Sequence, residues 1–206
     1  MSSLYILGCG GHGKVVAETA ASTRLFSSIS FLDDLQCGTV LDYPVVAKIS
    51  SIFESNNFSK FDQFVVAIGN SKTRLDLTCR LLSFGYSVPV IVHPMATVSP
   101  SAFLGPGTVV FSQAVIQSSA TTGKATILNT SCSVDHDTHL CDGVHICPGA
   151  HLAGHVTVGS CSWLGIGSSV IQNIHLGSNV VIGAGSTVLS DIPDDVTAVG
   201  TPARIL

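Results

Sequence analysis

Every sixth residue from Val92 to Val188 is aliphatic, with a single lapse at Thr122. The series runs Val92, Val98, Leu104, Val110 and Ile116, and beyond the lapse Leu128, Val134, Leu140, Ile146, Leu152, Val158, Leu164, Val170, Leu176, Ile182 and Val188. With apolar residues at about half of positions, such a run arises by chance roughly once in ten thousand trials. An α-helix repeats every 3.6 residues and an amphipathic strand every 2, so neither keeps this register on one face.

A hexapeptide β-helix does keep it: each hexad forms one short side and a turn, three hexads close a coil, and coils stack through backbone hydrogen bonds. Four residues after the aliphatic position stand small or slim side chains, among them Ala96, Ala102, Thr108, Ala114, Ala120, Cys132, Ala150, Ser162 and Ser168, suited to a narrow interior. Gly105, Gly159, Gly165, Gly177 and Gly183 directly follow it, where glycine would supply the freedom for a corner. The repeat predicts five to six coils, a prism roughly 27 Å tall at about 4.8 Å per coil.

The first half reads differently. Residues 4–7 form a strand, followed by the turn GCGGHG (Gly8 to Gly13) and a helix over 14–22. Strands are predicted over 29–32, ending at Asp33-Asp34, over 64–68, ending at Gly69-Asn70, and over 89–92, with a helix over 71–84. Alternation of this kind implies a small parallel sheet covered on both faces, a Rossmann-like domain over 1–91 ahead of a β-helix over 92–206. Ligands of such sheets sit beyond the carboxyl ends of the strands, where Gly8, Gly10, Gly11, His12, Gly13, Asp33, Asp34, Gly69 and Asn70 all lie.

Gly8, Gly10 and Gly13 satisfy G-x-G-x-x-G, with Asp33 twenty residues beyond Gly13, the spacing of a dinucleotide site. A full dinucleotide site needs two mononucleotide-binding halves and about six strands, whereas about ninety residues here supply four. A nucleoside diphosphate sugar fits better: turn amides and the helix N-terminus for phosphates, Asp33 or Asp34 for base or ribose hydroxyls. The glycines can equally serve a tight turn alone, and His12 can bond a phosphate or cap the helix.

Nine Lys and Arg and a net charge of −4 argue against a nucleic-acid surface. No leader peptide or apolar run of membrane-spanning length is apparent, and seven scattered cysteines without Cys-x-x-Cys argue against a disulfide framework or thiolate zinc site, so a reduced, cytoplasmic setting is expected. The glycosylation patterns at Asn57 and Asn129 carry little weight without a secretory route.

Five of the eight histidines, His136, His139, His145, His151 and His155, crowd into twenty residues. His139, His145 and His151 share one hexad phase and so point about 120° apart, as solvated or interface residues would. His136 stands between Asp135 and Asp137, and an adjacent carboxylate fixes a histidine's tautomer and raises its basicity. His136 is thus the candidate general base.

GCGGHGKVV and FLDD, then hexads containing NTSCSVDHD and a GTPAR ending, resemble the bacterial nucleotide-amino-sugar N-acetyltransferases of the left-handed β-helix, hexapeptide-repeat superfamily. That group includes enzymes acting on the 4-amino group of UDP-linked bacillosamine precursors or of GDP-perosamine, and the sialic acid O-acetyltransferases share its layout. The resemblance implies the left hand of the helix and acetyl-CoA as co-substrate without a metal. It places His136 as base and Asp137 as its orienting acid, where the family usually has the longer Glu. It makes Asn129 an active-site residue, His145 a contact to the acetyl carbonyl or thioester end, and Gly154 an oxyanion donor. It further implies a homotrimer with His136 of one subunit facing His145 of the next. The pantetheine arm then lies between prisms near Gly165, Gly183 and Ala184, with Gly200, Pro202 and Arg204 of GTPAR near the nucleotide end. The implied acceptor is a 4-amino-4,6-dideoxy sugar, carried on UDP.

Three other classes stay open: a zinc enzyme with histidine ligands shared between subunits, a nicotinamide oxidoreductase, and a non-catalytic scaffold.

Overall fold

The protein was analysed as a computed structural model that describes residues 2–54 and 58–206; the Asn57 glycosylation pattern lies outside the described residues. The N-terminal part is built from β1 (Ser2–Leu7), α1 (Gly11–Thr23), β2 (Phe26–Leu32), β3 (Gly38–Val40), β4 (Tyr43–Ala47), α2 (Ser51–Glu54), β5 (Gln63–Val66) and α3 (Ser71–Ser83). Its sheet has the order β3-β4-β2-β1-β5, parallel except for β3 against β4.

Two expectations need correction. The β3–β4 hairpin turns through Leu41 (φ 50°) and Asp42 (φ 64°), both left-handed, a turn normally signalled by Asn-Gly or Asp-Gly, so its sequence gave no warning. The expected fourth strand over 89–92 does not join this sheet: Ile91–Val92 pairs with Val109–Val110 as the first rung of the second architecture. The small sheet is therefore five-stranded and mixed.

From Ile91 the chain winds through two-residue strands into three parallel sheets of six, five and eight strands, the last ending in a hairpin of Thr197–Val199 and Arg204–Ile205. Pairing is offset by one coil throughout, as when Val134 pairs with Ile116 below and Leu152 above. Val110, Leu128, Val134, Leu140, Ile146 and Leu152 fill the interior with the small residues Ala114, Ala120, Cys132 and Ala150 between them. The lapse at Thr122 is satisfied internally: its Oγ1 lies 3.1 Å from the Thr108 hydroxyl and accepts from the Gly105 amide at 3.1 Å.

The corners are not where the glycines suggested. Left-handed φ recurs at every sixth residue from Gly107 to Gly185, three after the aliphatic position, and includes Gln113, Ser119, Asp137, His155 and Asn173. The glycines that directly follow the aliphatic residue answer to a different constraint: a Cβ on Gly105 would overlap the carbonyl of Gly123 in the next coil.

The two parts share a core. Ile91, Val109 and Ile127, outward-facing on the eight-stranded sheet, pack with Val16, Ala17 and Ala20 of α1. Arg74 of α3, 1% exposed, bolts the parts together by donating Nε–H to the Ala125 carbonyl (2.8 Å), Nη1 to Ile68 and Gly69 (3.1 and 3.0 Å) and Nη2 to Gly143 (2.8 Å). No helix among the described residues is long and apolar enough to cross a membrane.

Candidate active site

His136 and Asp137 occupy the corner between the strands Ser133–Val134 and His139–Leu140. Asp137 holds a left-handed φ of 57°, which Asp tolerates better than most residues, and this turns its carboxylate back toward the preceding ring. Its Oδ2 accepts from Nδ1 of His136 at 2.8 Å, so the shorter acid does reach the imidazole. Asp135 Oδ1 takes the His136 amide at 2.8 Å. With Nδ1–H committed, Nε2 is left as the lone-pair nitrogen facing outward. The hydrogen bond to Asp137, reinforced by the charges of Asp135 and Asp137, raises the His136 pKa above the ordinary value.

Gly154 sits one coil above His136, where a Cβ would lie 2.5 Å from Cε1 and 2.6 Å from Nε2 of that ring. Only glycine leaves the imidazole in place. The Gly154 amide donates to no acceptor among the described residues, which suits a donor awaiting a developing oxyanion.

His145 lies on a different sheet, in the outward column that begins with Ile91, Val109 and Ile127 and continues to Trp163. It marks the rim where the cover provided by the N-terminal part ends. Asn129 Oδ1 accepts from the Thr130 amide at 2.8 Å, so its Nδ2 is the end that faces His145 Nε2 at 3.1 Å, leaving the ring proton on Nδ1. Burial, with the positive Arg74 and neighbouring His12, pushes the His145 pKa down to about 3, so the ring is a neutral donor.

His12 does not cap α1, which has no side-chain cap. Its ring turns to the prism, edge-on to Phe111 at 5.6 Å, with Nε2 buried and unpartnered. Burial and then Arg74 push its pKa down to about 4. His12, Asn129 and His145 thus meet at the seam between the two parts, whereas His136 stands on another corner. One chain does not unite His136 with His145.

The βα turn opens into a cleft of about 500 Å³ lined by Cys9, Gly10, Gly11, Lys14, Gln36, Thr39, Val40 and Leu41, which shares Gln36 with a second cleft of about 400 Å³ along Asp33 to Cys37 and Val45 to Lys48. Gly8 (φ 99°) makes the turn, and a Cβ on Gly13 would strike the Gly8 carbonyl, while Gly10 and Gly11 face open space over the uncapped amides of α1. Asp33 is bound up in the turn itself: Oδ2 accepts from the Cys9 amide (3.0 Å) and Oδ1 from Leu35 and Gln36 (2.9 and 3.0 Å). Burial opposes its ionisation, but these amides outweigh it and its pKa is lowered. Asp34 accepts from the Ile49 amide at 3.0 Å, and Asn70 caps α3 by accepting from Thr73 N at 2.9 Å, with Gly69 giving its carbonyl to Arg74. Of the candidate substrate residues, Asp33, Asp34, Gly69 and Asn70 therefore have evident structural work.

Gly165 and Gly183 stack one coil apart above Asn129, and a Cβ on Gly165 would meet the Ala184 amide. The GTPAR segment closes this edge, the Gly200 amide donating to Ser186 Oγ at 3.0 Å, with a cis Thr201–Pro202 bond and an exposed Arg204 whose Nη1 donates to the Ala203 carbonyl.

Two participants escaped the sequence reading. Arg74 had no motif, and only the outward apolar column beginning at Ile91 hinted at a docked face. His155 brings Nε2 within 3.6 Å of Asp137 Oδ2. His136, Asp137 and His155 are the one trio among the described residues able to offer metal-ligand atoms within 4.8 Å of one another, all exposed. Within one chain His139, His145 and His151 fall on three different sheets, so a three-histidine centre would have to form between subunits. All seven cysteines are free.

Comparison with known proteins gives concordant findings. The PglD N-terminal domain model matches residues 3–81. The acetyltransferase domain of PglB from Neisseria gonorrhoeae, in complex with acetyl coenzyme A, is 42% identical with a TM-score of 0.96, covering 99% of this chain and 98% of that one. PerB from Caulobacter crescentus, in complex with CoA and GDP-perosamine, is 35% identical with a TM-score of 0.90 over 100% and 98% of the chains. GDP-perosamine N-acetyltransferase of Escherichia coli O157:H7 is 26% identical over 86% of this chain and 81% of its own length. Serine acetyltransferase of Synechococcus elongatus matches more locally, 48% identical over 52 residues, a fifth (21%) of its length.

Proposed function

Because the chain belongs to the PglD-type, acetyl-CoA-dependent acetyltransferases of the left-handed β-helix, we propose that it transfers acetyl from acetyl-CoA to the 4-amino group of a UDP-linked 4-amino-4,6-dideoxy sugar, for bacterial surface glycan or glycoprotein synthesis. The observation that carries the reading is the His136 imidazole, seated on Gly154, with Nδ1 held by Asp137 and Nε2 free.

In this reading the clefts beside α1 hold the nucleotide, its phosphates on the amides of Gly10, Gly11 and His12. The sugar then points along α1 toward the seam, where His12 Nε2 awaits a polar partner. With the acceptor bound as the neutral 4-amine, His136 Nε2 takes one N–H proton as the nitrogen attacks the thioester carbonyl. The Gly154 amide stabilises the oxyanion, and the neutral His145, steadied by Asn129, donates to the acetyl end. Collapse expels the thiolate of CoA, which recovers the proton from His136, leaving free CoA and the N-acetyl sugar. Acetyl-CoA supplies the activated acyl group, its pantetheine running past Gly165, Gly183 and Ala184 toward Gly200, Pro202 and Arg204.

His136 and Gly154 share a corner, whereas His145 and Asn129 share the seam, so the reading requires a second copy. A homotrimer satisfies this, and the exposed Ile166, Ile171, Val181 and Leu189 are surfaces a neighbouring prism would cover. The reaction belongs in the cytoplasm, where both substrates are made.

The test is thiol release from acetyl-CoA with a panel of UDP-, GDP- and dTDP-linked amino sugars and free sialic acid. We expect the UDP-linked 4-amino sugar to react fastest, and His136→Ala to cut turnover by about 10²- to 10⁴-fold without changing acetyl-CoA affinity. Preferred turnover of sialic acid would favour O-acetylation, and no release with any member would overturn the reading.

A further inference from the structure

We propose that His155 is a positioning residue for this reaction: from the coil above, it holds the Asp137 carboxylate in place against His136. The inference rests on the reading of His136 as general base. His155 moves no proton and touches no substrate in this scheme.

The argument starts from the backbone. Asp137 (φ 57°) and His155 (φ 58°) are successive members, eighteen residues apart, of the left-handed corner column. Side chains in that column leave the prism in the same direction, one coil above the other. The His155 amide also donates to the His136 carbonyl at 3.0 Å, which ties His155 to the residue it would serve.

The side chains meet as this placement dictates. Asp137 Oδ2 accepts from His136 Nδ1 at 2.8 Å, and His155 Nε2 faces the same oxygen at 3.6 Å, with the two imidazoles edge-on at 5.2 Å. At 3.6 Å the second contact is electrostatic rather than a hydrogen bond, and a small rotation of either side chain would close it. The carboxylate is 46% exposed, and no other side-chain donor among the described residues reaches it. An aspartate on an exposed corner is otherwise free to swing into water. Two imidazoles bracket it and restrict its swing. Asp135, the remaining charge beside His136, is engaged with the His136 amide and does not substitute.

The His136 ring resonances, followed by NMR through a pH titration in EDTA to exclude metal chelation by the same three groups, provide a test that needs no substrate. We expect His155→Ala and His155→Phe to lower the His136 titration midpoint toward that of Asp137→Ala. His155→Gln, whose amide N–H reaches about as far as Nε2, should retain the wild-type midpoint. In an Asp137→Ala background, His155→Ala should add nothing. In thiol-release assays the Ala and Phe variants should lose about tenfold in kcat at unchanged KM for acetyl-CoA. An unshifted midpoint in His155→Ala, a wild-type midpoint in His155→Phe, or full additivity in the double variant would each overturn the proposal. If no amino sugar is acetylated by the unmodified protein, the functional reading fails while the titrations still decide the role of His155.

Discussion

The carboxylate of Asp137 acts on His136 in two ways, fixing the proton on Nδ1 and raising the pKa of the ring. A general base works when neutral, so a raised pKa sets the acid limb of kcat/KM above the ordinary histidine value. Asp137→Ala removes the main cause of that elevation. The limb should move to lower pH while the plateau falls by about ten- to a hundredfold, measured as a pH profile of thiol release; a stationary limb would assign it to another group. Gly154 is the second residue-scale constraint. Gly154→Ala places a methyl group into the His136 ring, so we expect turnover to drop by about a hundredfold while circular dichroism shows the prism intact.

At the scale of the element, the hexad carries two demands with different chemistry. The inward position needs bulk, and even the Thr122 lapse is accommodated by a hydroxyl pair with Thr108. The corner needs a left-handed backbone, which costs a non-glycine residue roughly 1–2 kcal/mol. Ser119 (φ 59°) is exposed at that position. Ser119→Gly should therefore be neutral or stabilising by up to about 1 kcal/mol, whereas the β-branched Ser119→Val should cost more than about 1 kcal/mol, read from the shift in thermal midpoint. Asp137 and His155 occupy the same kind of position and use its geometry to aim their side chains at one another.

Across the whole molecule, the N-terminal part covers only the lower rungs of one sheet, and His145 stands where the cover stops. The cleft beside α1, His12, Asn129 and His145 thereby converge on one edge, and His136 with Gly154 on another. An assembly that joins unlike edges makes a testable demand on mixed oligomers. His136→Ala and His145→Ala proteins, each inactive, should regain about a quarter of normal activity when unfolded together and reassembled at equal amounts, because that share of sites pairs two intact edges. Continued inactivity of the mixture would place both histidines in a single-chain site.

The six-residue period determined the prism because interior bulk must recur wherever a triangular coil turns inward, and the constraint is local and repeats seventeen times over. His136 was legible for a related reason: its partner Asp137 is its neighbour in the chain. The hairpin at Leu41-Asp42, the transfer of Ile91–Val92 to the prism, the burial of Arg74 and the approach of His155 to Asp137 were not legible. Each depends on which surfaces meet after folding: a sheet edge, a docked helix, or two corners stacked eighteen residues apart. The sequence by itself determined the coil and the pairing of His136 with Asp137; the tertiary structure decided what surrounds that pair, because the period sets which positions stack but not which side chains meet across coils or between the two parts.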